Sequence, residues 1–184
     1  MTGQRIGEGP IERLKTVLDV AIAVNFVQTH PITHQDYDSG VHAYFARLSP
    51  TWGLKFFFSS SERNENFRLQ AAAHRHGLAP EVKSPFQATL PCGRTAYGYL
   101  TETIKETEKE RISREKPNIY LGWEVMEEWR ETSHDLDTLC YRLRKVGLTD
   151  LDMNWGNVGY VGKNLVCIDF SCEFFSVEKA RKYA

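Results

Sequence analysis

Three polar residues toward the end of the chain have the types and the spacing of a divalent-cation site. Asp152 and Asn157 bracket a loop, and Asp169 follows a short hydrophobic segment. Two predicted strands, 158–161 and 165–168, lie between them and are joined by a Gly-Lys-Asn turn. Because a hairpin brings its two ends together, we expect Asn157 and Asp169 to lie side by side.

The oxygen atoms of these side chains suit magnesium, which takes few protein ligands and completes its shell with waters and substrate phosphates. Asn157 and Asp169 are therefore predicted to bind Mg²⁺. Asp152 is predicted to accept a proton from an attacking hydroxyl, or to orient that hydroxyl. Aspartate and asparagine also satisfy backbone groups in ordinary loops, so the prediction depends on the order of all three residues.

The elements around this loop are predicted to be mainly helical. Residues 103–131 are highly charged and predict one or two helices that break near Pro117. The clearest helix spans 135–146, where leucines recur at helical spacing and basic residues favour the C-terminal dipole. Gly147 ends this helix, and the loop and the hairpin follow directly.

The first half of the chain predicts strands around one helix. Aromatic and β-branched residues indicate the strands, and Gly77 closes the helix, with Pro80 just beyond it. Asp38, Ser39 and Gly40 are interpreted as turn formers ahead of the first strand. The predicted elements are, in order, strands over 41–48 and 52–58, a helix over 63–76, and strands over 86–90 and 95–101.

A further helix is predicted over residues 11–28. Its apolar face is wide, so it must be buried against another part of the protein. We expect it to pack on the helical, C-terminal half of the chain. A homodimer is the alternative way to cover apolar surface there.

The composition favours one ordinary globular domain over residues 1–184. Hydrophobic residues make up 41% and charged residues 26% of the chain. The formal net charge is −1, so no overall field attracts nucleic acid or an anionic membrane. The four cysteines form no close pair and are expected to be reduced thiols. No apolar segment is long enough to span a bilayer and no secretory signal is visible, so a cytoplasmic location is expected.

Two segments carry a resemblance to the protein-kinase-like superfamily. DMNWGN, residues 152–157, resembles its catalytic loop, and IDFS, residues 168–171, resembles its magnesium-binding Asp-Phe-Gly segment. The Gly-Asn ending of the loop is similar to that of aminoglycoside and choline kinases and of related atypical small kinases. Asn154 stands where that branch has histidine, and Ser171 stands where the superfamily has glycine.

The resemblance implies an α+β, two-lobed protein-kinase-like fold that binds ATP and Mg²⁺. The chain ends soon after Asp169, so the C-lobe helices that bind the acceptor in the family are expected to be missing. The implied parts are an N-terminal helix over 1–30, a small β-rich N-lobe with the hinge over 31–102, and a reduced, mainly helical C-lobe over 103–184.

The same resemblance assigns nucleotide-binding roles in the first half of the chain. Lys55, in the predicted strand WGLKFFF, is similar to the lysine that holds the phosphates of ATP. GYLTE resembles the strand that leads into the adenine-binding hinge, so Thr101 would sit near the gatekeeper position, and Glu102 and Thr103 would begin the hinge. Gly40 stands alone in place of the glycine-rich loop that cradles phosphates.

The N-lobe helix is implied to carry a glutamate that pairs with Lys55. Glu65 is predicted for this role, because it shares a helical face with Leu69 and the apolar stripe. Glu62, one turn earlier, is one alternative. Asn66 is another, because it can be aligned with the family's glutamate.

Together these resemblances imply an ATP- and magnesium-dependent phosphotransferase with a hydroxyl acceptor that the sequence does not name. The alternative is a pseudokinase, a kinase-like module that binds nucleotide or a protein partner and acts through regulation rather than catalysis.

Overall fold

The fold is an α+β arrangement, in agreement with the predicted class. The computed structural model describes residues 24–25, 38–39, 43–90, 93–117 and 122–170. Within these ranges the strands are β1 (Asp38–Ser39), β2 (Tyr44–Arg47), β3 (Trp52–Phe57), β4 (Val82–Thr89), β5 (Thr95–Glu102), β6 (Val158–Val161) and β7 (Asn164–Cys167). The helices with complete bounds are α1 (Ser60–His74), α2 (Glu108–Glu115), α3 (Trp123–Thr132) and α4 (His134–Lys145).

The chain divides into two compact units. The first unit contains residues 1–63 and 83–101, and the second contains residues 64–82 and 102–184. One boundary falls just before Glu102, where the sequence places the hinge. Most of α1, which we expected in the N-lobe, belongs instead to the second unit, because Leu69, Ala73 and Leu78 pack into its apolar core.

The first unit contains a five-stranded antiparallel sheet in the order β1-β2-β3-β5-β4. β2 and β3 form the predicted hairpin, in which Tyr44 pairs with Phe56. Ser49 stabilises its turn, since the Ser49 hydroxyl accepts the Trp52 N–H at 2.9 Å. β3 also has β5 on its other side, so it is an inner strand of the sheet.

Side chains on β3 alternate between the two faces of this sheet. Leu54 and Phe56 join an apolar cluster, so Lys55 and Phe57 lie on the opposite face. The cluster consists of Ala46, Leu54, Phe56, Phe86, Ala88, Leu90, Ala96 and Leu100.

Val24 packs against this sheet cluster. Val24 and Asn25 are helical, as predicted, but the expectation that the helix packs on the C-terminal half is wrong for Val24. The physical reason is that Tyr44 and Trp52 extend the apolar face of the sheet, and only a covering element can bury that face. The rest of 11–28 lies outside the described residues.

Asp38 and Ser39 form β1 rather than the predicted turn. Asp38 pairs with Phe45, and Ser39 pairs with Tyr44. Pairing with β2 gives these residues backbone partners on one side, which outweighs their preference for turns. Gly40, which follows β1, lies outside the described residues.

Two helices end at glycines, as predicted. Gly77 after α1 has φ of 66°, and Gly147 after α4 has φ of 81°. Glycine adopts this left-handed conformation without steric strain. It allows the Leu78 N–H to donate to the Ala73 carbonyl at 3.0 Å, and an equivalent bond follows α4.

The highly charged segment folds into two helices, α2 and α3. α2 begins with a capping box, in which the Thr107 hydroxyl accepts the Glu110 N–H at 3.1 Å and the Glu110 carboxylate accepts the Thr107 N–H at 2.6 Å. α2 ends at its C-cap residue, Lys116. Pro117 follows directly, which confirms the predicted break.

The core of the second unit lies between the end of α1, α4 and the β6–β7 hairpin. Leu136, Leu139 and Leu143 are buried and confirm the predicted stripe of α4. The hairpin is also confirmed, with Val158 paired to Cys167 at its open end. Both of these residues are fully buried, so the open end of the hairpin is fixed in the core.

The two cysteines that the structure describes, Cys140 and Cys167, are free thiols, as expected. Cys92 and Cys172 lie outside the described residues. In the described part of the chain, no helix combines the length and the apolar character that crossing a membrane would need.

The segment that leads into α2 crosses β6 at Gly159. Thr107 forms an isolated antiparallel bridge with Gly159. A Cβ atom on Gly159 would lie 2.8 Å from the carbonyl oxygen of Glu106 and would overlap Ile104. The close approach of two backbones therefore requires glycine here.

Replacing Gly159 by alanine is expected to lower the free energy of unfolding by about 1–3 kcal/mol, because a backbone oxygen cannot rotate away from the added methyl. Equilibrium urea unfolding measures the loss. Gly162→Asn is the control, because the space around Gly162 is open and asparagine tolerates its φ of 62°. Equal losses in both variants would contradict a tight crossing at Gly159.

Candidate functional site

The loop between α4 and β6 begins at a residue with unusual backbone geometry. Asp150 has φ of 62°, in the left-handed region that aspartate tolerates better than most residues. The Thr149 hydroxyl donates to the Asp150 carboxylate at 3.0 Å. This turn redirects the chain after α4 and starts the loop that carries Asp152.

Two amide groups hold the Asp152 carboxylate. Asn154 Nδ2 donates to Asp152 Oδ2 at 2.8 Å, and Asn157 Nδ2 donates to the same oxygen at 3.2 Å. Asn157 Nδ2 also donates to the Asp152 carbonyl at 2.9 Å. The structure thus brings Asp152 and Asn157 into direct contact and fixes the direction of the carboxylate.

Asn154 stabilises the loop from inside. Its Oδ1 accepts the Gly156 N–H at 2.8 Å, while its Nδ2 holds Asp152. The backbone closes on the same residue, since the Asn157 N–H donates to the Asn154 carbonyl at 2.9 Å. Asn154 therefore makes three of the hydrogen bonds that hold the loop together. It stands at the position where the family that the sequence resembles usually has histidine.

The hairpin places Asp169 next to the end of this loop. The Ile168 N–H donates to the Asn157 carbonyl at 2.9 Å, which extends the β6–β7 ladder by one residue beyond Val158 and Cys167. Asp169 is the next residue and is half-buried. The predicted proximity of Asn157 and Asp169 is therefore present in the backbone.

The arrangement suits a hard cation with few protein ligands. Asn157 uses Nδ2 on Asp152, so Oδ1 is the atom of its amide that could bind a cation, and Asp169 is the nearby carboxylate in the chain. Among the described residues, no group of three or more His, Cys, Asp or Glu side chains has the arrangement of a metal site. A site of one amide and one carboxylate would need waters and a substrate to complete its shell.

Lys55 is buried in the sheet of the first unit. It is 7% exposed, and its ammonium lies 5.7 Å from the centre of the Phe57 ring. β3 has neighbours on both sides, so Lys55 is not a solvated lysine of the kind that edge strands often carry. A buried lysine on an inner strand is a functional candidate rather than a surface residue.

Thr101 shares the sheet face of Lys55. Leu100 belongs to the apolar cluster on the other face, and side chains alternate along β5. Thr101 is 5% exposed. β5 lies beside β3, and a Cβ atom on Gly98 would be 3.1 Å from the Lys55 carbonyl oxygen. The lysine and the predicted gatekeeper therefore lie on adjacent strands and on one face.

The predicted hinge begins with paired backbone groups. The Glu102 N–H donates to the Glu81 carbonyl at 2.8 Å, and the Glu102 carboxylate accepts the Glu81 N–H at 3.3 Å. Thr103 follows β5 and is half-buried. Gly40, the remaining predicted phosphate-binding residue, lies outside the described residues.

The buried face of α1 differs from the predicted one. Asn66, Gln70 and Ala73 are buried together with Leu69, whereas Glu65 and Glu62 are half-buried. Asn66, the aligned alternative, is therefore the more buried residue. The sequence pattern missed this face because two of its buried residues are amides, which give no apolar periodicity.

A buried carboxylate behind the loop was not predicted. Glu108 is 2% exposed and accepts hydrogen bonds from Arg111 and from Trp129. Glu108 raises the pKa of the Arg111 guanidinium by accepting its hydrogen bonds. Burial raises the pKa of the nearby Tyr160 phenol, and its hydrogen bond to Asp135 raises it further. The charged composition of 103–131 gave no sign that one of its glutamates is buried.

Comparison with known proteins adds no family to these observations. The sequence matches no family model and no curated protein. The motifs and the geometry of the residues themselves are therefore the observations that bear on function.

Replacing Asn154 by alanine is expected to lower the free energy of unfolding by about 1–2 kcal/mol, because it removes two hydrogen bonds and leaves the Gly156 N–H without its acceptor. Equilibrium urea unfolding checks this loss. Asn64→Ala is the matched control, because Asn64 is exposed in α1 and alanine favours a helix. Unchanged stability of Asn154→Ala would show that the loop does not need this amide.

Proposed function

We propose that the protein is an ATP- and magnesium-dependent phosphotransferase with a protein-kinase-like fold and a hydroxyl acceptor. The observation that carries the proposal is the contact of Asn157 with Asp152 at one end of a hairpin whose other end leads into Asp169. Aspartate, asparagine and aspartate in this order and proximity are the groups that phosphoryl transfer uses for acceptor orientation and metal binding.

Each residue of this group has a proposed role. Asn157 Oδ1 and the Asp169 carboxylate would hold magnesium, which when bound neutralises phosphate charge. The Asp152 carboxylate would accept the proton of the acceptor hydroxyl as that oxygen bonds to the γ-phosphorus and the bridging oxygen leaves with ADP. The amides of Asn154 and Asn157 keep the Asp152 carboxylate in one orientation, which favours a single approach of the hydroxyl.

The nucleotide contacts are proposed for the residues that the resemblance assigns to them. Lys55 is proposed to hold the phosphates, because its burial and its inner-strand position favour a role with an anionic ligand. Thr101, Glu102 and Thr103 are proposed to contact the adenine, and Gly40 the phosphates. Glu65 is retained as the proposed carboxylate partner of Lys55.

A pseudokinase is the second candidate, and one observation favours it. Asn66, which can be aligned with the family's glutamate, is buried on α1, whereas Glu65 is half-buried. An amide at the position that aligns with the family's glutamate would lack the charge that pairs with the family's lysine. In that case the protein would bind nucleotide, or a protein partner, without efficient transfer.

ATP with magnesium is expected to raise the melting temperature, since a ligand at about 100 times its Kd stabilises the folded state by about 2.7 kcal/mol. Thermal denaturation with ATP, with and without Mg²⁺, measures the shift. Asp169→Asn is expected to abolish the dependence on Mg²⁺. Asp137→Asn is the matched control, because Asp137 is exposed on α4 and should leave the shift unchanged. No shift at millimolar ATP would contradict the phosphotransferase and also a pseudokinase that binds nucleotide.

Asp152→Asn is expected to lower turnover by about 10²- to 10⁴-fold, because the amide cannot accept the acceptor's proton. The affinity for ATP should stay the same, since Asp152 is proposed to act on the acceptor. Release of ADP in the presence of candidate hydroxyl compounds measures turnover, and calorimetry measures affinity. An Asp152→Asn variant with full turnover would rule out Asp152 as the group that accepts the proton, whereas a native protein that binds ATP without turnover would favour the pseudokinase.

A further inference from the structure

The first turn of α2 contacts the candidate loop at Trp155. The Lys109 N–H donates to the Trp155 carbonyl at 3.0 Å. Trp155 is 5% exposed, and its ring centre lies 6.3 Å from that of Trp129, at an interplanar angle of 38°. Trp155 stands in the loop between Asp152 and Asn157, so its position constrains both residues.

Glu108 fixes Trp129 in this arrangement. The Trp129 indole N–H donates to Glu108 Oε1 at 3.1 Å. The same carboxylate accepts Arg111 Nε at 2.7 Å and an Arg111 terminal nitrogen at 2.6 Å. Two hydrogen bonds from one guanidinium fix the orientation of the Glu108 carboxylate. The carboxylate in turn fixes the orientation of the Trp129 indole through its hydrogen bond to the indole N–H.

The position of Arg111 is itself constrained. Its guanidinium lies 5.8 Å from the centre of the Tyr160 ring on β6. The Tyr160 hydroxyl donates to the Asp135 carboxylate on α4 at 2.8 Å. Glu115, the next acidic residue along this face of α2, accepts the third Arg111 nitrogen, Nη1, at 2.8 Å and is much more exposed than Glu108. Two glutamates therefore form ion pairs with Arg111, but only Glu108 also accepts the hydrogen bond from Trp129.

α2 also connects directly to the predicted hinge. Residues 102–107 run from the end of β5 to the capping box of α2, and Thr107 is paired with Gly159 on the way. The first turn of α2 is thus held between the proposed adenine-binding segment and the loop of Asp152. A side chain in the first turn of α2 can therefore fix the conformation of the loop of Asp152 without contacting substrate.

We propose that Glu108 is a positioning residue for the 152–157 loop, which acts by holding Trp129 against Trp155. The effect on turnover rests on the proposed phosphotransferase function, whereas the effect on the loop itself does not. Glu108 acts on the orientation of Asp152 and Asn157 and not on the affinity for nucleotide. A misplacement of about 1 Å at reacting groups lowers turnover by about 100-fold.

Glu108→Gln is the principal variant, because it keeps the size of the side chain and removes the charge that orients Arg111 and Trp129. Glu115→Gln is the matched control, since it removes the same charge from the same helix and the same arginine without changing the Trp129 contact. Trp129→Phe keeps an aromatic ring beside Trp155 but removes the N–H that binds Glu108. It serves as the second test if Glu108→Gln does not fold.

Two readouts separate positioning from general stability. The first is the ¹⁵N–¹H NMR signal of the Asn157 side-chain amide in the full chain, which reports its hydrogen bonds to Asp152. The second is the separation of kcat from KM for ATP. Glu108→Gln should shift the Asn157 signal and lower kcat by about 10- to 100-fold, with KM within about 2-fold of the native value. Glu115→Gln should match the native protein in both readouts.

An unshifted Asn157 signal in folded Glu108→Gln would overturn the proposal, and so would a shifted signal with native kcat. Equal effects of Glu108→Gln and Glu115→Gln would also overturn it, because only Glu108 contacts Trp129. If the native protein transfers no phosphoryl group, the phosphotransferase proposal fails. The Asn157 signal then still decides whether Glu108 positions the loop.

Discussion

The side chain and the backbone of Asn157 together impose the constraint on which the candidate site depends. The amide binds both the carbonyl and the carboxylate of Asp152, and the Asn157 carbonyl accepts the Ile168 N–H. One residue thus joins the loop to the far strand of the hairpin. The arrangement is rigid because Val158 and Cys167, which pair next to it, are fully buried and cannot shift without opening the core.

Buried charged side chains mark the positions where this fold differs from an ordinary apolar core. Lys55 in the first unit and Glu108 in the second are the only charged side chains buried among the described residues. Arg111 and Trp129, in the same unit, donate hydrogen bonds to the Glu108 carboxylate. These bonds offset the free-energy cost of burying its charge, and they come from the side chains that Glu108 orients. Lys55 lies on an inner strand beside the Phe57 ring, so its side chain is removed from solvent by the sheet of the first unit.

The sequence predicted the elements of the fold well where local chemistry determines them. Gly77 and Gly147 end helices because only glycine adopts a left-handed backbone without strain, and Pro117 follows the end of α2 because proline restricts the residue before it. The stripe of α4 and the β6–β7 hairpin were also predicted, since apolar spacing and turn residues specify both. These signals lie within a few residues of the features that they produce.

Some features of the candidate site are predictable from the sequence, and others are set only by the tertiary structure. The sequence by itself determined the order Asp152, Asn157, Asp169, and the hairpin between them made their proximity predictable. Only the tertiary structure decided that Asn66 rather than Glu65 faces the core, that Asp38 and Ser39 pair as a strand, and that Glu108 is buried behind Trp155. The physical reason is that burial of a polar residue depends on partners distant in the chain, such as Trp129 for Glu108, and a local pattern contains no record of them.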